Sequence, residues 1–186
     1  MKSVEVRKAA CIIKQGGLVI FPTETVYGLG ADALNPRAVR KVFKIKGRPE
    51  SRALIVHITR FSDIDKFAKN VPKQARKLAK KFWPGPLTLV LKKKKIVPDI
   101  VTGGEKTVAL RMPDHPLTLE LIRLSGPIVG PSANFYGQKP PRSVKEISPK
   151  LLKPVDAVLD GGKTKLGIPS TIVDFTRTPP KVVRKG

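Results

Sequence analysis

The 186-residue chain has one cysteine, two histidines, one tryptophan and two tyrosines. The single thiol, Cys11, cannot close an intramolecular disulfide, and no Cys/His cluster has the spacing of a structural zinc site. A reducing, cytoplasmic setting fits both absences. No apolar run approaches the ~20 residues that cross a bilayer, and the N-terminus lacks a signal-type apolar core, so a soluble protein with no membrane contact is expected. Aromatics, at 5%, are too few to interleave with the basic residues as a stacking platform for single strands. Acidic residues are also scarce: 14 Asp and Glu stand against 37 Lys and Arg, giving a net charge of +23. Such a surplus draws in polyanions (nucleotides, RNA or anionic membranes) without choosing among them. Lys73, Lys77, Lys80 and Lys81 on one helical pattern, and the run Lys92 to Lys95, fit a solvated surface as readily as RNA contact.

At 40% hydrophobic, the chain supports one sizeable core, and a single domain over residues 1–186 is expected. Its organising stretch is Leu18 to Ala31. Leu18-Val-Ile-Phe21 is a continuous apolar run that suits a buried strand, and Pro22 stops it for want of a ladder donor. Thr23, Glu24, Thr25 and Tyr27 then follow the end of a core strand, where open α/β sheets bind ligands. An ST-rich turn with no chemistry explains the same residues.

Elsewhere, apolar spacing predicts helices over Val4 to Gln15, from Asn35-Pro36 to Gly47, over Phe61 to Lys69, Pro72 to Phe82 and Pro116 to Ser125. Strands are predicted at Ala53 to Ile58, Leu87 to Leu91, Thr107 to Arg111, Pro127 to Gly130, Thr171 to Phe175 and Lys181 to Arg184, and a strand with a glycine turn over Asp156 to Gly162. Val101 to Gly104 reads as a flexible rim. Lys44, Lys46 and Arg48 gather at a helix C-terminus, either complementing its dipole or clamping phosphates. Gly162-Lys-Thr164 looks like the tail of a phosphate loop, but Ala157 stands where the first glycine is required, and Pro169 precedes any helix.

Lys46-Gly-Arg-Pro49, Trp83-Pro-Gly-Pro-Leu-Thr88, Val108-Ala-Leu-Arg-Met-Pro113, Pro131-Ser-Ala-Asn134, Pro169-Ser-Thr171 and Val183-Arg-Lys-Gly186 follow the central stretch in order. Each is short. Together, from about Gly16 to Gly186, they resemble the YrdC/TsaC family of threonylcarbamoyl-AMP synthases. The resemblance implies an α/β (α+β) fold with a twisted, largely mixed sheet flanked by helices around a basic concave face. It implies that Thr25, His57, Arg111, Gly130 and Ser170 hold threonine, and that Lys46, Arg48, Arg52, Thr107, Ser132, Asn134 and Arg184 hold ATP. Two places depart from the family pattern: Arg52-Ala53 precedes a strand where relatives have a small polar residue and proline, and Pro140-Pro-Arg-Ser143 replaces a Ser/Thr-rich segment. The second domain that some relatives carry is not expected.

The implied reaction joins L-threonine, bicarbonate or CO2, and ATP with Mg2+ into threonylcarbamoyl-adenylate and pyrophosphate. The adenylate would feed threonylcarbamoyl-transfer proteins acting on tRNA. The residues name no certain catalytic base; His57, Tyr27 and Glu24 are the candidates, and no residue is assigned as a metal ligand. Mg2+ is expected to be bound mainly by the phosphates. Arginine in place of lysine at 111 suits a bidentate grip on the threonine carboxylate. The competing class is a non-enzymatic, double-stranded RNA-binding protein using the basic concave face. A further alternative is carbamoyl or adenylyl transfer to a different amine.

Overall fold

The computed structural model describes residues 2–186. Helix α1 (Lys2–Lys14) buries a stripe of Val6, Ala9, Ala10 and Ile13, then stops at Gly16 with φ 79°. Strand β1 (Val19–Phe21) turns into β2 (Gly28–Asp32), and α2 (Pro36–Lys46) follows. Asn35 caps α2, its side-chain oxygen accepting from the Arg37 and Ala38 amides, while Gly47 closes it in the left-handed conformation at φ 58°. Next come β3 (Ile55–His57), α3 (Ile64–Phe67), α4 (Lys73–Phe82), β4 (Leu87–Lys92), α5 (Asp99–Thr102) and β5 (Thr107–Arg111). The chain ends with α6 (Pro116–Ser125), β6 (Ile128–Val129), α7 (Pro149–Leu152), β7 (Ala157–Val158), β8 (Thr171–Asp174) and β9 (Lys181–Arg184). Among the described residues no helix is long and apolar enough to cross a membrane.

The strands form one mixed sheet in the order β7-β1-β2-β6-β3-β5-β4-β8-β9. Strand alternation divides its residues between two faces. Leu18, Ile20, Ala31, Val56, Leu89, Leu110 and Val129 enter a large core with α2 and α4. Val19, Phe21 and Ile128 face the other way, into a smaller core completed by α1 and α6. The register carries this second face onward through His57 opposite Ile128, and Arg111 opposite His57. Beyond β3 its covering thins: Ile55, Thr107, Ala109 and Ile172 are only partly buried there. One half of this face is therefore roofed by helices and the other half is open.

Several expectations needed correction. Residues 61–69 do not form one helix: a 3-10 turn at Phe61–Asp63 leads into four residues of α3, and Ala68 then bridges to Lys93. The Lys69 amide donates to the Lys92 carbonyl at 2.9 Å, so pairing with the end of β4 overrides helical spacing. The strand and glycine turn expected over 156–162 are found as a two-residue strand, Ala157–Val158, and a turn where Asp160 accepts from the Gly162 amide. Val101 to Gly104 is no loose rim; Val101 and Thr102 are buried in α5. Strand β2 was not foreseen, since its glycines read as a turn. Those glycines make room for Phe21: a Cβ on Gly28 would sit 2.5 Å from the Phe21 ring, and one on Gly30 3.0 Å away.

Gly28→Ala is accordingly expected to destabilise the fold by about 1–3 kcal/mol through overpacking. The urea midpoint of the variant measures this, and adding Phe21→Leu should recover part of the loss. An unchanged midpoint for Gly28→Ala would show that the ring is free to move aside.

Candidate active site

The loop between β1 and β2 is an ST turn built on Thr23. Its hydroxyl donates to the Val26 carbonyl at 2.7 Å and accepts from the Thr25 and Val26 amides at 3.1 Å each. The turn fixes Glu24 and Thr25 against the end of β5. There Arg111 Nη2 donates to Glu24 Oε1 at 2.7 Å and to Thr25 Oγ1 at 2.9 Å, while its Nε donates to the Gly85 carbonyl at 3.2 Å. Three of the five guanidinium hydrogens are thus committed to the protein, leaving the pair on Nη1. The bidentate grip expected of Arg111 is not open to a ligand, because Glu24 already holds one side of the fork.

An open cleft of about 230 Å³ lies on the uncovered part of the sheet. It brings together Thr25, Arg48, Arg111, Gly130, Ser132, Ser170 and Arg184 from six separate places in the chain. Ser170 is buried, its hydroxyl 2.8 Å from that of Thr88 and accepting from Arg184 Nη2 at 3.1 Å. Arg184 Nε also donates to the Ser170 carbonyl, and β9 pairs with β8, so this near-terminal arginine is tied down. Arg48 is aimed by donating to the Arg52 and Ala53 carbonyls, with its guanidinium carbon 5.4 Å from the Tyr136 ring centroid. Burial, and then the charges of Arg111 and Arg48, push Arg184 below the usual arginine value. Three mutually repelling cations around one cleft favour an anionic occupant.

His57 is fully buried beside the Phe21 ring, their centroids 5.7 Å apart, and its Nδ1 has no hydrogen-bond partner. Burial first, and the Arg111 charge second, hold its pKa well below the ordinary histidine value, so the ring is neutral. Gly130 is the thin wall between this imidazole and the cleft: a Cβ there would lie 2.6 Å from His57 Nδ1 and Cε1.

Other expected residues stand outside the cleft lining. Lys46 is buried, its ammonium donating to the Ser132 and Asn134 carbonyls, so it braces the loop that presents Ser132. Burial and the nearby Arg48 charge push its pKa down to about 7, while the two carbonyls favour the charged form. Asn134 donates to the Phe135 and Gln138 carbonyls. Arg52 is exposed and reaches the site through its carbonyl alone. Thr107 shares the open face of β5 with Arg111, about 13 Å away at strand rise. Tyr27 is corrected as a catalytic candidate. Its hydroxyl lies 2.7 Å from the Gly162 carbonyl and 3.0 Å from Asp160, accepts from the Gly161 amide, and has a pKa raised to about 12, chiefly by burial. Glu24, expected as a candidate base, is instead the partner of Arg111; the roles of Gly85 and Thr88, inside the 83–88 motif, and of Tyr136, which carried no signal, were not anticipated.

A family described as "Telomere recombination", Sua5/YciO/YrdC, matches residues 11–186. The chain belongs to this family. A threonylcarbamoyl-AMP synthase of Pyrococcus abyssi is 49% identical over 183 residues, covering 98% of this chain and 54% of the relative. One from Bacillus subtilis is 44% identical over 187 residues, covering 98% and 53%. The chain thus spans about half the length of these curated relatives. The crystal structure of P. abyssi Sua5 complexed with L-threonine superposes with a TM-score of 0.94 at 49% identity, covering 96% of this chain and 53% of that one. The mixed α/β sheet described above is therefore the fold this chain shares with the Sua5 structure.

Because folded His57 is neutral, the unfolded chain binds one more proton as pH falls through 6.5, and the stability held in full above that pH is lost below it. Between pH 7.5 and 5.5 the wild type should lose about 1 kcal/mol more than His57→Gln, read from urea midpoints at both pH values. Equal losses would show that burial does not set the state of the ring.

Proposed function

We propose that the protein makes L-threonylcarbamoyl-adenylate and pyrophosphate from L-threonine, bicarbonate or CO2, and ATP. The observation that carries this reading is the convergence of Arg48, Arg111 and Arg184 on one cleft, with Thr25 and Ser170 at its Arg111 end. Arg111 Nη1 offers donors for an amino-acid carboxylate, the Thr25 and Ser170 hydroxyl oxygens line the same cleft, and neutral His57 holds its orphan nitrogen behind Gly130. The 230 Å³ cleft suits the amino acid. ATP would lie along the open face toward Thr107, its phosphates against Arg48 and Arg184.

The amine nitrogen bonds to the CO2 carbon and gives up a proton. A carbamate oxygen then bonds to the α-phosphorus as the α–β bridging P–O bond breaks and pyrophosphate leaves. The residues lining the cleft include no carboxylate or imidazole, and of the two groups behind it Glu24 is paired with Arg111 and His57 resists protonation. Catalysis then rests on holding the reactants together and on the arginines neutralising phosphate charge. Among the described residues no group of three or more His, Cys, Asp or Glu is placed to hold a metal ion. Mg2+ would arrive as the ATP complex, screening the phosphate charge.

The adenylate would pass to threonylcarbamoyl-transfer proteins that modify tRNA. A purely RNA-binding reading is less economical, since a polyanion groove gains nothing from a buried carboxylate fixed against its arginine. Incubation with all three substrates should yield the adenylate by mass spectrometry, and omission of threonine or bicarbonate should abolish it. Serine, lacking one methyl contact, should be disfavoured by about 1–3 kcal/mol in kcat/KM. Product formed without threonine would overturn the reading. Arg184→Ala should cut adenylate formation at least about tenfold, the worth of one charge-assisted phosphate contact. Full activity in that variant would remove Arg184 from the nucleotide side.

A further inference from the structure

No carboxylate lines the cleft, yet its most deeply buried cation is permanently paired with one just behind the wall. Glu24 and Arg111 side chains are each 5% exposed. Glu24 is not a loose partner that a ligand could push aside. Its Oε2 accepts from the Asp114 amide at 3.1 Å, and its backbone carbonyl accepts from the Leu166 amide at 2.8 Å. Arg111 is equally fixed by Gly85 and Thr25. A carboxylate arriving in the cleft must therefore share the guanidinium, meeting Nη1 while Glu24 stays on Nη2.

The chemistry gives this sharing a purpose. In the reaction proposed above, on which this inference rests, the threonine carboxylate is never altered; it is present in substrate, transition state and product alike. Affinity for such a group is uniform binding, which lowers KM without speeding chemistry and, in excess, retains the product. A dehydrated arginine facing a carboxylate alone would grip it strongly. We propose that Glu24 is an attenuating and positioning residue: by sharing Arg111, it orients the free edge of the guanidinium toward the cleft and limits how tightly the amino-acid carboxylate is held, so that the adenylate can leave.

Glu24→Gln tests this, since it keeps the size and a hydrogen-bond acceptor but removes the charge. Calorimetry should show the variant binding L-threonine about tenfold more tightly than wild type, with no such gain for L-threoninamide, which lacks the carboxylate. Its steady-state kcat should fall while a rapid first turnover persists as a burst, because release becomes limiting. Glu24→Asp, retaining the charge, should show no tightening. A folded Glu24→Gln variant that binds threonine no better than wild type, or that gains equally for threoninamide, would overturn the proposal. A measurement on wild type alone guards against a variant that does not fold. There the carboxylate should be worth less than about tenfold in affinity, and a threoninamide Kd about a hundredfold weaker than that of threonine would overturn the attenuation. Absence of any threonine binding by wild type would instead overturn the functional reading itself, and this proposal with it.

Discussion

The buried ion pair between Glu24 and Arg111 joins two parts of the chain that share no strand ladder. Glu24 belongs to the turn leaving β1, and Arg111 ends β5, four positions away across the sheet. Breaking such a pair on one side leaves an unpaired buried charge, at a cost of about 3–5 kcal/mol. The pair therefore holds the turn, the Gly85 carbonyl and the Asp114 amide in one arrangement, and the Arg111 end of the cleft takes its shape from them. Neither residue could be exchanged alone without exposing the other to this penalty.

Around that fixed point the cleft is made by what is absent from the sheet. Helices α1 and α6 cover the face over β1, β2 and β6, and the same face is open over β3, β5 and β8. Gly28, Gly30 and Gly130 form a floor without side chains on which Phe21 and then His57 rest, so the imidazole comes within one backbone thickness of the cleft. A methyl group on that floor would shift the ring, and the ring would shift the histidine. Packing and site geometry are in this region one property.

The side of the cleft toward Arg48 and Arg184 is organised differently, by cations that are themselves braced. Lys46 is used to hold the carbonyls of Ser132 and Asn134, and Arg48 is oriented by carbonyls that follow it. Arg184 rests on Ser170, which in turn faces Thr88, so the last strand and β4 share a hydroxyl.

The sequence by itself determined the mixed α/β class, the helix from Asn35 to Gly47, the strands at Leu87, Thr107, Thr171 and Lys181, and the short motifs whose order marks the family. Those features are local: caps, glycine stops, alternation and fixed spacings act within a few residues and can be read from them. What the chain order could not show is which of the basic residues face one another. Arg48, Arg111 and Arg184 meet only because sheet order sets β3, β5, β4, β8 and β9 side by side. The residue expected as a phosphate clamp, Lys46, became a brace, and Tyr27 became an anchor for the loop at Gly161 and Gly162. Strand β2 was hidden because its glycines look like a turn until the Phe21 ring is laid across them. The pairing of Glu24 with Arg111, which decides how much of that arginine a ligand can use, spans 87 residues. Its strength comes from burial, and burial exists only once the sheet has formed.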